Sequence, residues 1–347
     1  MVMKIEIISR ETIKPSSPTP HHLRIYKLSL LDQVAPLIYA PIVLFYSAPP
    51  EFNSNMIHCI TIYDHLKKTL SETLSHFYPL AGRIKHDDYV DCNDDGVTYV
   101  KARANFEVSK IIRNPEMNLL QQFLPFNPYD VRSDKEHTTM AVQVNVFDCG
   151  GIGIGVCISH RIADGTTLAS FLSAWAAMSR GAAETITPSL DSATLFPPRD
   201  IHSSMPTGLI SMQNIVTRRF VFDANSMANL REIASNGLSM DYPSRVEAVT
   251  ALICRSAVNA TTKKSGKTIP SAAISHVVNL RARMIPPLAE HTFGNIWQLT
   301  VAPEPEGEVE LHDIVVQLQK AKTKIDDVYA RQLQGDDRLF LARESQK

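Results

Sequence analysis

At 347 residues, with 44% hydrophobic and 20% charged residues, the chain is long enough for about two domains with sizeable cores. Its formal net charge is −1, which provides no electrostatic footprint for nucleic acid or an anionic membrane. Five cysteines, odd in number and without a Cys-x-x-Cys pair, argue against a disulfide framework or a zinc site and for reduced thiols in a cytosolic protein.

The first residues are apolar but broken by Lys4 and Glu6, unlike a signal peptide. Lys4 to Ile8 and Leu23 to Leu28 have the character of strands. The apolar run from Val34 to Ala48 contains Pro36 and Pro41 and is too short to span a bilayer; a buried strand and turn is expected. Thr61 to Phe77 places Leu66, Leu70, Leu74 and Phe77 on one helical stripe. The stretch Asp91-Cys92-Asn93-Asp94-Asp95-Gly96 starts like a calcium loop. The position where a bidentate Glu belongs is Ala102, so a polar hairpin turn is expected instead. Val97 to Ala102 follows as a short strand. Thr138 to Phe147 and Ile152 to Ser159 alternate as two strands of a hairpin around Cys149-Gly150-Gly151.

The second of these strands runs into Ser159-His160-Arg161-Ile162-Ala163-Asp164-Gly165. Leu168, Phe171, Leu172 and Trp175 then mark one face of a helix that stops near Arg180-Gly181. His160 thus sits at a strand-to-helix turn, where rigid scaffolds present reactive groups. With 12 histidines, roughly one His-x-x-x-Asp spacing arises by chance. Asp164 is also a good helix N-cap, and His160 a plausible hydrogen-bonded turn residue. Two features favour chemistry. Gly151, Gly153 and Gly155 leave one strand face bare for a backbone or ligand to approach. An imidazole also titrates near neutrality and serves as a general base without strong tuning. The glycines do not form Gly-x-Gly-x-x-Gly, because the last position is Val156. With no Gly-x-Ser-x-Gly or phosphate loop either, a dinucleotide enzyme or serine hydrolase has no support.

Pro188, Pro197, Pro198 and Pro206 lie among Ser and Thr residues, so Pro188 to about Ile215 is expected as a crossover linker. Beyond it come an expected strand, Thr217 to Phe222, and a helix, Met227 to Ala234. A further helix opens at Ser244, with Glu247 three residues later as a capping box. Strands Ala272 to Leu280 and Asn295 to Val301 precede one long helix, Glu310 to Gln332. Its stripe is Leu311, Ile314, Val315, Leu318, Ile325 and Val328.

Several motifs in one order carry a resemblance. They are Pro15-Ser16-Ser17-Pro18-Thr19-Pro20, Leu31-Asp32-Gln33, His76-Phe77-Tyr78-Pro79-Leu80-Ala81-Gly82-Arg83 and Val90-Asp91-Cys92-Asn93. The His160 turn, Phe196-Pro197-Pro198, Phe220-Val221-Phe222-Asp223, Ser244-Arg245-Val246-Glu247, Val278-Asn279-Leu280-Arg281-Ala282-Arg283-Met284 and Gly294-Asn295 complete the set. The chain resembles the plant BAHD acyltransferases, and among them the vinorine synthase-like alkaloid acetyltransferases. The family's Asp-Phe-Gly-Trp-Gly signature is absent from these residues, which end at Lys347; the expectation is a C-terminally incomplete second domain.

The resemblance implies a mixed α/β fold of two similar chloramphenicol-acetyltransferase-like domains with a reaction channel between them. The expected boundaries are 1–187 for the first, 188–215 for the linker and 216–347 for the second. It implies acetyl transfer from acetyl-CoA to a hydroxyl of a plant specialised metabolite, in a monomer with CoA as co-substrate and no metal. His160 is the expected base. Asp164 pairs with Arg281 as a structural ion pair. Ser244 caps its helix and faces CoA, and Gly294 and Asn295 line the CoA entrance; capping and an ordinary turn are the plainer alternatives. Arg83 is expected to be structural. The rival expectation is a non-catalytic remnant that binds CoA or a partner.

Overall fold

The computed structural model describes residues 3–48, 56–86, 88–128, 138–200, 217–235, 241–265, 273–303 and 310–335. These fall into two units: Met1–Ser211 with Ala289–Ile296, and Met212–Leu288 with Trp297–Lys347.

In chain order the first unit holds β1 (Ile5–Ile13), β2 (Ile25–Lys27), α1 (Leu30–Gln33), β3 (Tyr39–Tyr46), α2 (Met56–His76), β4 (Arg83–Lys85), β5 (Tyr89–Asp91) and β6 (Val97–Ala104). Then follow α3 (Val108–Arg113), α4 (Met117–Leu120), β7 (Met140–Phe147), β8 (Ile152–Ser159), α5 (Gly165–Ser179) and α6 (Ser192–Leu195). Five strands form one sheet in the order β1-β6-β7-β8-β3. The β6–β7 pair is parallel and the other neighbours are antiparallel.

The alternation of β8 decides what lies on each side of this sheet. Ile154, Val156 and Ile158 point into a core with Leu70, Leu74 and Phe77 from the α2 side and Phe171 and Trp175 of α5. The opposite face is not open to a ligand along the strand. A Cβ at Gly155 would lie 2.0 Å from the Phe123 carbonyl oxygen, and one at Gly153 would press on the Phe45 and Phe147 rings at 3.2 and 3.3 Å. The bare face is where the chain packs its own backbone and an aromatic cluster of Phe45, Phe106, Phe123 and Phe147.

Several expectations need correction. The run from Val34 to Ala48 yields β3 as an edge strand that is half-buried rather than buried, which also accommodates Pro41. Leu23 to Leu28 is a strand only from Ile25, because His21–Leu23 form a 3-10 turn after Pro20. The Asp91–Gly96 loop is not a hairpin turn. It crosses from β5, in a three-stranded β2-β5-β4 sheet, to β6 in the larger one. Thr19 donates to Asp94 from its backbone N–H (2.9 Å) and its hydroxyl (2.6 Å), which fastens that crossing. Arg83 is structural: its guanidinium donates to the Gly82 and Gly96 carbonyls, both at 2.8 Å.

Asp164 caps α5, and the helix stops at Arg180 before Gly181 with φ +68°. Residues 188–200, expected as linker, pack on the first unit: Phe196 is fully buried, and Ser189 exchanges backbone hydrogen bonds with His291 and Phe293. Residues 201–215 lie outside the described residues.

The second unit holds α7 (Ala224–Ser235), α8 (Arg245–Ser265), β9 (Ala273–Asn279), β10 (Trp297–Pro303), α9 (Leu311–Thr323) and α10 (Asp327–Gln334). The strands pair antiparallel, with Asn279 opposite Trp297. Leu230, Ala248, Ala251, Ile314, Val315 and Leu318 anchor its core. Thr217 to Phe222 is not a strand: Phe220 and Val221 are three-quarters exposed, and without a ladder partner among the described residues alternation leaves the backbone irregular. The expected single helix from Glu310 to Gln332 is two. Asp326 caps α10 by accepting from Tyr329 N–H at 2.9 Å, and Arg283 donates to the Lys322 and Ile325 carbonyls at the break. Val328, expected on the apolar stripe, is exposed; Ala330 and Leu333 are buried instead. No helix among the described residues is long and apolar enough to cross a membrane.

Candidate active site

The turn after β8 is held from both sides. His160 N–H donates to the Ile38 carbonyl at 2.9 Å, and Ser159 N–H to that of Thr139 at 2.7 Å. The neighbouring Arg161 guanidinium, itself buried, donates to the Gln33 carbonyl at 2.6 Å and the Asp32 carbonyl at 3.2 Å. These bonds lock α1 beside the histidine.

The imidazole Nδ1 of His160 lies 3.0 Å from Asn295 Oδ1. Asn295 is fully buried, and its Nδ2 donates to the His160 carbonyl at 2.7 Å and to Asp32 Oδ1 at 2.8 Å. Its backbone N–H also donates to Asp32 Oδ1, at 2.8 Å. Asp32 Oδ2 accepts from Ser29 through the backbone N–H at 3.0 Å and the hydroxyl at 2.7 Å. The carboxyl is thus buried with four donated hydrogen bonds. Burial pushes its pKa above the usual range, while the Ser29 and Asn295 donors pull the other way.

This network assigns protons. Asp32 Oδ1 and the His160 carbonyl are acceptors, so the amide nitrogen of Asn295 must face them and its oxygen must face the ring. The ring then donates from Nδ1, and Nε2 carries the basic lone pair.

Asp164 is 7% exposed and divides its carboxylate. Oδ1 accepts from Thr167 N–H at 2.8 Å as the cap of α5, and Oδ2 accepts from Ile296 N–H at 3.1 Å. The acid of the His-x-x-x-Asp spacing therefore fixes the segment that carries Asn295. Gly294 has φ +117°, a conformation L side chains rarely adopt, and a Cβ there would meet Ser192 Oγ at 3.1 Å and Asp32 Oδ2 at 3.4 Å.

His160, Asp164, Gly294 and Asn295 are thus brought together in the first unit. Asn295, expected inside a strand, precedes β10 in a loop, which lets its side chain reach the histidine. Arg281 and Ser244 belong to the second unit. Arg281 is buried just after β9, and its backbone N–H and guanidinium donate to Asn279 Oδ1 at 3.0 and 3.3 Å. Ser244 is exposed and caps α8, with Glu247 N–H donating to its hydroxyl at 3.2 Å and its own N–H donating to Glu247 Oε2 at 2.7 Å. Burial pushes the Glu247 carboxyl up, but its Lys322 ion pair and the Ser244 donors outweigh this and its pKa is lowered.

Sequence reasoning assigned no role to Ser29, Asp32 or Thr167. The Ser29-x-x-Asp32 capping box and the Leu31-Asp32-Gln33 motif were the visible signals, but neither points to a partner 263 residues away. Among the described residues no group of three or more His, Cys, Asp or Glu is placed to hold a metal ion.

A model of the transferase family matches residues 3–338. Vinorine synthase from Rauvolfia serpentina is 39% identical over 338 residues, covering 96% of this chain and 79% of that protein. Stemmadenine O-acetyltransferase from Catharanthus roseus is 38% identical over 340 residues, with 96% and 79% covered. A limonoid 21-O-acetyltransferase from Citrus sinensis is 37% identical over 341 residues, with 96% and 78% covered. The crystal structure of vinorine synthase matches at TM-score 0.84 and 39% identity, covering 94% of this chain and 78% of that one. TRI101 of F. graminearum, complexed with coenzyme A and T-2 mycotoxin, matches at TM-score 0.67 and 17% identity over 89% of this chain and 76% of that one; this is a likeness of fold alone. The match of family, sequence and fold along nearly the whole chain means that it belongs to the plant BAHD acyltransferase family, with relatives among the vinorine synthase-like acetyltransferases.

Proposed function

We propose that the chain transfers an acetyl group from acetyl-CoA to a hydroxyl of a plant specialised metabolite, with His160 as general base. The observation that carries this reading is the Asp32–Asn295–His160 chain of hydrogen bonds, which makes Nε2 the basic nitrogen. The acceptor oxygen attacks the thioester carbonyl carbon as Nε2 takes the hydroxyl proton. The tetrahedral oxyanion collapses, the C–S bond breaks, and the imidazolium returns the proton to the leaving sulfur as CoA thiol. Asn295 Oδ1, held on Nδ1–H, favours the positive ring formed between those steps. A thioester is already activated, so no acyl-enzyme is required.

The names of the relatives support an O-acetyl acceptor of alkaloid or limonoid type. Ser244, at the exposed start of the α8 helix, is proposed to meet the anionic part of CoA, since helix N-termini favour phosphate. Gly294 and Asn295 are proposed to line the CoA entrance through the turn they form. Asp164 and Arg281 are proposed as a structural pair.

The test is a screen of alkaloid and triterpenoid alcohols with acetyl-CoA, read as free thiol and as acetylated product. Acceptor-dependent thiol release that His160→Ala abolishes supports the proposal. Thiol release with none of the alcohols, or release equal in the variant, would overturn it.

A further inference from the structure

We infer that Thr167 is a positioning residue for His160, acting through the Gly294–Asn295 peptide. The inference rests on the reading of His160 as the base.

Three consecutive backbone N–H groups of the 289–296 segment are each held by a different side chain. Gly294 N–H donates to Thr167 Oγ1 at 3.1 Å, Asn295 N–H to Asp32 Oδ1 at 2.8 Å, and Ile296 N–H to Asp164 Oδ2 at 3.1 Å. Two of these holders are carboxylates; Thr167 is the neutral one. Its hydroxyl also donates to the Gly294 carbonyl at 3.0 Å, so it holds the main chain of that residue at both ends. One oxygen thus serves both the donor and the acceptor of a single residue, which fixes the direction of both flanking peptide planes.

Gly294 is the residue that needs this restraint. With φ +117° and no side chain, it has the widest backbone freedom at the point where the chain aims Asn295. Rotation there swings the Asn295 amide away from His160 Nδ1, and the ring loses the acceptor that sets its tautomer. Thr167 is 2% exposed and its own N–H is already held by Asp164 Oδ1 at 2.8 Å, so its hydroxyl is rigidly placed on α5. The histidine turn and its clamp form one unit on a single stretch of chain. His160 is the base, Asp164 and Thr167 hold the loop, and the loop brings Asn295.

The experiment compares the full chain with Thr167→Val and Thr167→Ser. Val keeps the branched shape and removes the hydroxyl; Ser keeps the hydroxyl. The primary readout is the 15N spectrum of histidine-labelled protein, with the His160 ring assigned by comparison with H160Q. The second is turnover of acetyl-CoA with an acceptor from the alcohol screen. The wild type should show Nδ1 protonated and Nε2 unprotonated. T167V should show mixed tautomers and a fall in kcat of about 10- to 100-fold, with KM for acetyl-CoA little changed. T167S should match the wild type. A folded T167V with the wild-type ring spectrum overturns the inference, whatever its stability. If T167V does not fold, T167S against T167A carries the same comparison, and identical ring spectra there overturn it equally. A shifted tautomer with unchanged turnover leaves the clamp standing and removes His160 as the base.

Discussion

Asn295 Nδ2 lies 2.8 Å from Asp32 Oδ1, and that contact decides which end of the amide faces His160. The His160 carbonyl can only accept, so the amide end that faces it and Asp32 is the donating nitrogen, and the oxygen turns to the ring. Asp32→Asn puts a donor where Asn295 and Ser29 already donate. The expected result is a rate lower by about 10- to 100-fold, the effect typical of losing an outer partner of a functional histidine. Stability should fall by about 1–3 kcal/mol for the buried donor left unsatisfied. Turnover and chemical denaturation measured on the same preparation check both; a variant with unchanged turnover would break the link between Asp32 and the ring.

Asp164→Ala should harm the fold as well as the rate. It removes the cap of α5, worth about 1 kcal/mol, and strands the buried Ile296 N–H at about 1–3 kcal/mol more. A double-mutant cycle with Arg281→Ala measures whether the two residues are coupled. Melting like the wild type with activity lost would point to direct chemistry by Asp164 instead.

Two glycines near the site should respond in opposite ways to alanine. Gly155→Ala drives a Cβ to 2.0 Å from the Phe123 carbonyl, so the backbone must move, at a cost of about 1–3 kcal/mol or more. Gly165→Ala meets nothing within 4 Å in the first turn of α5 and should be neutral or stabilising by up to about 1 kcal/mol. Urea unfolding of the two variants side by side reads the difference, and equal midpoints would refute the packing of the glycine face.

The Lys67 and Lys101 ammonium groups hold the Glu11 carboxyl well down, at about 2 against an ordinary 4.5. Folding therefore favours the ionised form. The stabilisation is present above the ordinary carboxylate pKa and is lost as pH falls through about 2. Glu11→Gln should be less stable than the wild type at neutral pH, with the gap closing on acidification. A gap that widens on acidification would reverse the sign of the effect. Partial exposure keeps the gap small.

Strong local periodicity was legible in the sequence. β7, β8 and α5 fall where alternation and the helical stripe place them, and the Ser244 capping box forms as its spacing requires. Where two local signals overlapped, one prevailed. The apolar stripe that suggested a single helix ran past Asp326, whose side chain instead starts a new helix. Thr217 to Phe222 alternates like a strand, but alternation supplies no partner. The site was half legible. His160 and Asp164 announced themselves by spacing, whereas the bond from His160 to Asn295 joins residues 135 apart. Only the fold brings those together, so the proton assignment on the ring had no sequence signal.

The most direct test of the account is the turnover of His160→Ala with acetyl-CoA and an accepted alcohol, measured as thiol release on protein whose folding is verified by circular dichroism. The account predicts a loss of about a hundred- to ten-thousand-fold, the range for a missing general base, with the fold retained. Full turnover in the folded variant would contradict it.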